Sequence, residues 1–204
     1  MPMFHLMHLR LTEALLPARK RVILLLASAC LGWGSLAHSN QGATGEQVFE
    51  ILASEIALQR GEPALAYQTY LSLARQTGDP QLAQRAMEIA IAANAPELAL
   101  DAASTWDSLS PAGDTKPKEV LVTLLMLNQR WSDSVKPAIA LLQKQDPASQ
   151  ERTLKQLQPL LGRAVDEGVA MRAYFEIISA LKPLPSDSGI LYTYAMAAEK
   201  AGRF

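Results

Sequence analysis

From Glu46 onward, apolar residues recur three and four positions apart in short runs, each closed by a glycine, an asparagine or a proline. The first run, Glu46–Arg60, carries Phe49, Leu52, Ala53 and Ile56 as one stripe at helical spacing. Gly61 closes it, since glycine most easily takes the left-handed turn that ends a helix. A partner helix is expected from near Pro63 to about Gln76, with Leu65, Ala66, Thr69, Tyr70 and Leu73 on its inner face. A small residue at Ala66 lets two antiparallel helices approach closely, and Tyr70 fills the space one turn later.

The same pattern pairs Gln81–Ala93 with Pro96–Leu109, Lys118–Asn128 with Ser132–Lys144, and Ala148–Glu167 with Val169–Leu181. Asp79-Pro80 and Asp146-Pro147 each read as an N-cap followed by a first-turn proline. Pro137 is expected to kink or break its helix, and Pro159 to bend another. Ser110–Pro117 is the strongest loop signal. Trp106 and Trp131 are expected in packing between helices. Ile190–Phe204 forms a last helical run, with Tyr194 and Ala195 as a large–small pair and Gly202 at its turn. Few β-branched or aromatic runs compete with this all-α reading.

The turns are in phase. Taking Gly61 as reference, the equivalents fall at Asn94, Gln129, Gly168 and Gly202, at intervals of 33, 35, 39 and 34 residues. The extra residues of the long interval are placed around Lys144–Arg152. Counting from each turn, Ala99 and Ala103 occupy the places of Ala66 and Tyr70 in the second unit, and Ala173 the alanine place after Gly168.

The glycine of the turn, the alanine five residues on and the aromatic four beyond it resemble the second half of a tetratricopeptide repeat, whose period is about 34 residues. The resemblance implies a right-handed superhelix of helix-turn-helix units, about four and a half of them over residues 46–204. It also implies that the first helix of each unit lines a concave groove for a partner's peptide or helix. On the phase above, the groove positions include Ile51, Glu55, Gln84, Glu88, Glu119, Gln158, Tyr192 and Met196. A merely solvated face would present the same residue types. In a complete array a further helix would pack on Ile190–Ala201, so the natural chain is expected to continue past Phe204, or another chain to cover that end.

Residues 1–37 read as an export signal. Arg19-Lys20-Arg21 precede the apolar run Val22–Ala37, and Ser35 and Ala37 supply small residues for cleavage before His38. Ala27-Ser28-Ala29-Cys30 offers a second route, resembling a lipoprotein signal with Cys30 as the lipidated residue. An uncleaved inner-membrane anchor is a third. All three carry the body across the membrane, to the periplasm or the periplasmic face of the envelope. Residues 38–45 are polar and small and read as a tether.

Charge and chemistry narrow the function. The first 37 residues hold Arg10, Arg19, Lys20 and Arg21 against one acid, Glu13, so the remainder has 15 basic and 19 acidic side chains. A body with net charge near −4 lacks the basic footprint of a nucleic-acid binder. His5, His8 and His38 and the single cysteine all precede residue 46, which removes imidazole- and thiol-based nucleophile pairs and zinc sites from the repeats. Neighbouring Asp166 and Glu167 point about 100° apart on a helix and cannot face each other as an acid–base pair. No catalytic residue, cofactor or metal is expected. The reading is a scaffold that binds other proteins in the cell envelope. The alternative is the helical accessory domain of a larger envelope enzyme, such as a cell-wall enzyme, whose catalytic part lies beyond residue 204.

Overall fold

A computed structural model describes residues 44–202, so the expected signal at 1–37, most of the tether and Cys30 lie outside the described residues. The described chain is all helical: α1 (Gly45–Gln59), α2 (Pro63–Thr77), α3 (Pro80–Ala92), α4 (Pro96–Leu109), α5 (Lys116–Leu127), α6 (Trp131–Leu142), α7 (Pro147–Leu161), α8 (Glu167–Ser179) and α9 (Ser188–Lys200).

Local chemistry sets the ends. Thr44 and Gln47 form a reciprocal capping box at the start of α1, so this helix claims the last two residues assigned to the tether. Asp79 and Asp146 cap α3 and α7 as expected, and Asp166 and Asp187 cap α8 and α9 in the same way. Four of the five in-phase turn positions are left-handed: Gly61 at φ 79°, Asn94 at 53°, Gln129 at 62° and Gly202 at 65°. The first three close with one hydrogen-bond pattern. The amide after the left-handed residue donates five residues back, Glu62 to Ala57, Ala95 to Ala90 and Arg130 to Leu125, at 2.8–2.9 Å. This is the paired motif that satisfies the last carbonyls of a helix.

Gly168 departs from the phase. It lies in the first turn of α8, behind the Asp166 cap, because α7 ends at Leu161 rather than Glu167. Pro159 cannot donate to the helix ladder, and α7 closes two residues beyond it. The turn there runs from Gly162 to Asp166, and the next connection from Ala180 to Asp187. The additional residues therefore lie after α7, not at Lys144–Arg152. Pro137 does not break α6, which runs through it, anchored by the buried Trp131 on one side and Leu141 and Leu142 on the other.

Helices pack in sequence from α1 to α6. In addition α2 touches α4, α6 packs on α8, α5 touches α7 and α7 touches α9. Even-numbered helices thus meet even-numbered ones and odd meet odd. The core has two parts. One joins Ala66, Ala74, Ala83, Ala86, Ala90, Ala99, Ala102 and Ala103 with Tyr67, Tyr70, Met87 and Trp106. The other is built from Trp131, Leu142, Leu154, Leu157, Leu161, Tyr174, Ile177 and Ile178. Alanine interfaces let α2, α3 and α4 pack closely, whereas α7 and α8 touch only slightly. In that half α8 rests mainly on α6 and α9.

Two expected inner positions lie outside the core. Leu65 is exposed, and α2 buries Tyr67, Leu71 and Ala74 with Ala66, Tyr70 and Leu73. Ala195 is exposed as well, and α9 packs through Ile190, Ala197 and Ala198 instead. Tyr194 stacks on Phe175, their ring centroids 5.3 Å apart.

Candidate functional site: the polar face of the odd-numbered helices

The candidate groove residues separate into those that share a surface and those that hold the fold together. Glu55 on α1 is the centre of the first group. Its carboxylate accepts from the Tyr70 hydroxyl at 2.7 Å and from Arg85 Nη2 of α3 at 3.0 and 3.2 Å. Arg85 also reaches Glu88 at 3.5 Å, and Gln84 Nε2 donates to Glu88 Oε1 at 3.0 Å. Glu55, Gln84, Arg85 and Glu88 therefore form one connected, half-exposed polar patch across α1 and α3. Burial and the Glu55 carboxylate together push the Tyr70 hydroxyl up to about 12. Burial alone would lower the Arg85 guanidinium, but its bonds to Glu55 outweigh that and raise it. The patch has defined donors and acceptors and carries two acids against one base.

Arg85 is absent from the sequence-derived set. Its signal was an opposite charge 30 residues after Glu55, close to one repeat, placed between Gln84 and Glu88 on the same helix.

A second group sits on α7 and α9. Gln158 donates to Thr193 Oγ1 and to the Gly189 carbonyl, tying the two helices, and Lys155 pairs with Asp187 at 2.5 Å. Tyr192 is 68% exposed and Met196 37%. The accessible ring of Tyr192 and thioether of Met196 suit a contact surface, and Gln158 is a structural tie between the two helices.

Two expected groove residues do other work. Ile51 packs against the alanine-rich core, because α1 turns Ile51, Ser54, Ala57 and Leu58 inward. Ser54 is tolerated there because its hydroxyl donates to the Glu50 carbonyl at 2.8 Å. Glu119 accepts from Thr115 Oγ1 and Gln145 Nε2, both at 3.1 Å, so it fastens the residue before α5 to the connection between α6 and α7.

The repeat residues hold their packing roles better. Ala66, Ala99 and Ala173 are buried at helix contacts, and Tyr70 lies beneath the patch. Further polar ties cross from unit to unit at similar spacing. Tyr67 donates to the Leu98 carbonyl, Arg75 pairs with Asp101 at 2.7 Å, Glu97 with Arg130 at 3.5 Å, and Lys200 with Glu167. Gln129 is the most elaborate: its side-chain amide donates to the Arg163 carbonyl at 3.2 Å and accepts from the Val165 amide at 2.8 Å.

Among the described residues no cluster of three or more His, Cys, Asp or Glu is spaced to hold a metal ion. No described helix is long and apolar enough to cross a membrane. No family model, curated protein or solved structure matches the chain.

Proposed function

We propose that this chain is a tetratricopeptide-like scaffold of the bacterial cell envelope, binding a partner peptide or helix on the polar face of its odd-numbered helices. The observation that carries this reading is the recurrence of one left-handed turn, with one hydrogen-bond pattern, at Gly61, Asn94 and Gln129. Three turns of identical build at 33 and 35 residues make helical hairpins in register, and hairpins in register align their first helices along one surface. The Glu55–Arg85 bridge between α1 and α3 supports that alignment. Recognition on the patch would be polar and directional, favouring a partner with a cation for Glu88 and hydrogen-bonding groups for Gln84 and Arg85. The envelope location rests on the basic and apolar pattern of residues 19–37.

The direct test is affinity capture from an envelope fraction with the natural chain and with Glu88→Arg combined with Gln84→Ala. Both positions are solvent-accessible, so the variant keeps its helix content while partner recovery falls about tenfold or more. Unchanged recovery would overturn groove binding. Mass spectrometry of the mature N-terminus tests the location: a chain beginning at His38, or at a lipidated Cys30, supports export, and an intact Met1 in a soluble cytosolic product refutes it.

A further inference from the structure

The apolar stripe read at Phe49, Leu52, Ala53 and Ile56 does not face the core. In the folded chain Phe49 is 71% exposed, Leu52 58%, Ile56 48% and the adjacent Val48 46%. The opposite face of α1 supplies the packing, through Ile51, Ser54, Ala57 and Leu58. Singly exposed apolar residues are ordinary, but four on adjacent turns of one helix make a patch of the kind that marks an interface.

We propose that this stripe is the contact between two copies of the chain, with α1 of each lying antiparallel to the other about a two-fold axis near Leu52 and Ala53. The charges flanking the stripe single out this occupant. Glu46 and Arg60 lie on the same flank of the helix, at its two ends, with their midpoint at Ala53. Both are exposed, and neither takes part in an ion pair among the described residues. A two-fold axis across antiparallel helices keeps each flank facing its own copy, so Glu46 of one chain meets Arg60 of the other, twice. The stripe is centred within half a residue of that point, which places Phe49 against Ile56 and sets Leu52 and Ala53 each beside its own copy at the axis. Such a surface is self-complementary in shape order and in charge, as an isologous interface must be. An anionic bilayer surface fits worse, because Glu46, Glu50 and Glu55 border the stripe.

One pair of helices about 22 Å long is smaller than a standard interface, so a dissociation constant in the micromolar range is expected. The proposal is independent of the groove reading, since the stripe shares no residue with the patch of Glu55, Gln84, Arg85 and Glu88.

Sedimentation velocity on the full chain, across about two decades of concentration around that range, tests it. The natural chain should show a reversible monomer–dimer equilibrium. Phe49→Glu with Leu52→Glu should weaken it about a hundredfold while leaving helix content unchanged, since both side chains are exposed. Glu46→Lys or Arg60→Glu alone should weaken it about threefold to tenfold through two lost pairs and two new repulsions, and the double reversal should restore it. A chain monomeric throughout overturns the proposal. So does a dimer indifferent to the Phe49 and Leu52 changes, or a double reversal that fails to restore association. Binding to anionic vesicles through Phe49 and Leu52 without dimerisation would overturn it in favour of lipid.

Discussion

Tyr174 is the buried residue among those described whose polar atom finds no hydrogen-bond partner. The packing around it, among Met126, Trp131, Leu154, Leu157, Leu161 and Ile177, leaves no space for a water molecule. An unsatisfied buried hydroxyl costs about 1–3 kcal/mol, so Tyr174→Phe should raise stability by about 1 kcal/mol, read as a higher urea midpoint with unchanged slope. The same hydroxyl governs a pH response. Burial, with the Asp187 charge adding to it, pushes Tyr174 up to about 12, and Tyr67 and Tyr70 stand equally high, each through burial and a neighbouring carboxylate. A phenol whose folded pKa exceeds its unfolded value of 10.0 favours folding fully below pH 10. That contribution is lost as pH rises towards 12, because the unfolded chain ionises first. Thermal melts should therefore show stability falling from pH 10 to 12, with a shallower decline in Tyr174→Phe. A pH-independent melting temperature over that interval would contradict the buried placement of these rings.

At the scale of elements, four of the five turns were legible, and the faces only in part: Ala66, Tyr70 and Leu73 are buried as expected, whereas the stripe of α1 is not. A left-handed C-cap restricts both residue type and hydrogen bonding, so Gly61, Asn94, Gln129 and Gly202 could be read from spacing alone. Gly168 misled because glycine also fits an ordinary helical first turn, and only the Asp166 cap two residues earlier distinguishes the two. The stripe on α1 was legible as a pattern, but amphipathicity names a face without naming what it meets. The opposite face packs Ile51 and Leu58 on the alanine-rich core and buries the small Ser54 and Ala57, which no apolar stripe announces. The patch at Glu55 was half legible for a related reason: its partner Arg85 is fixed by tertiary register, which a single sequence does not display. Asn94 and Gln129 offer a controlled comparison. Both take a left-handed conformation that costs a side-chain-bearing residue about 1 kcal/mol relative to glycine. Asn94→Gly should accordingly stabilise the protein by about 0.5–1 kcal/mol. Gln129→Gly gains the same backbone relief but loses both amide bonds to the 163–165 turn, so it should be neutral or destabilising by about 1 kcal/mol. Equal stabilisation by the two substitutions would show that the Gln129 clamp contributes nothing.

For the whole molecule, α5 decides whether the two cores behave as one. Val120, Leu121 and Leu124 pack on the alanine-rich core, while Val122 and Met126 belong to the leucine-rich one. In a chain of stacked units, stability is the sum of local terms and of the interfaces between neighbours, so weakening one interface separates what it joins. Leu121→Ala with Leu124→Ala removes half-buried leucines from the side of α5 that meets α4, at a cost of about 1–2 kcal/mol each. The second core keeps Val122 and Met126 and is not touched directly. The natural chain should unfold in urea as one transition. The double variant should show a broadened or two-step transition, with amides of α1–α4 exchanging at lower denaturant than those of α6–α9. Val122→Ala should shift the balance the other way, exposing α6–α9 first. If both variants lower a single, coincident transition by every probe, then α5 is not the joint between two cores, and the two clusters unfold as a single cooperative body.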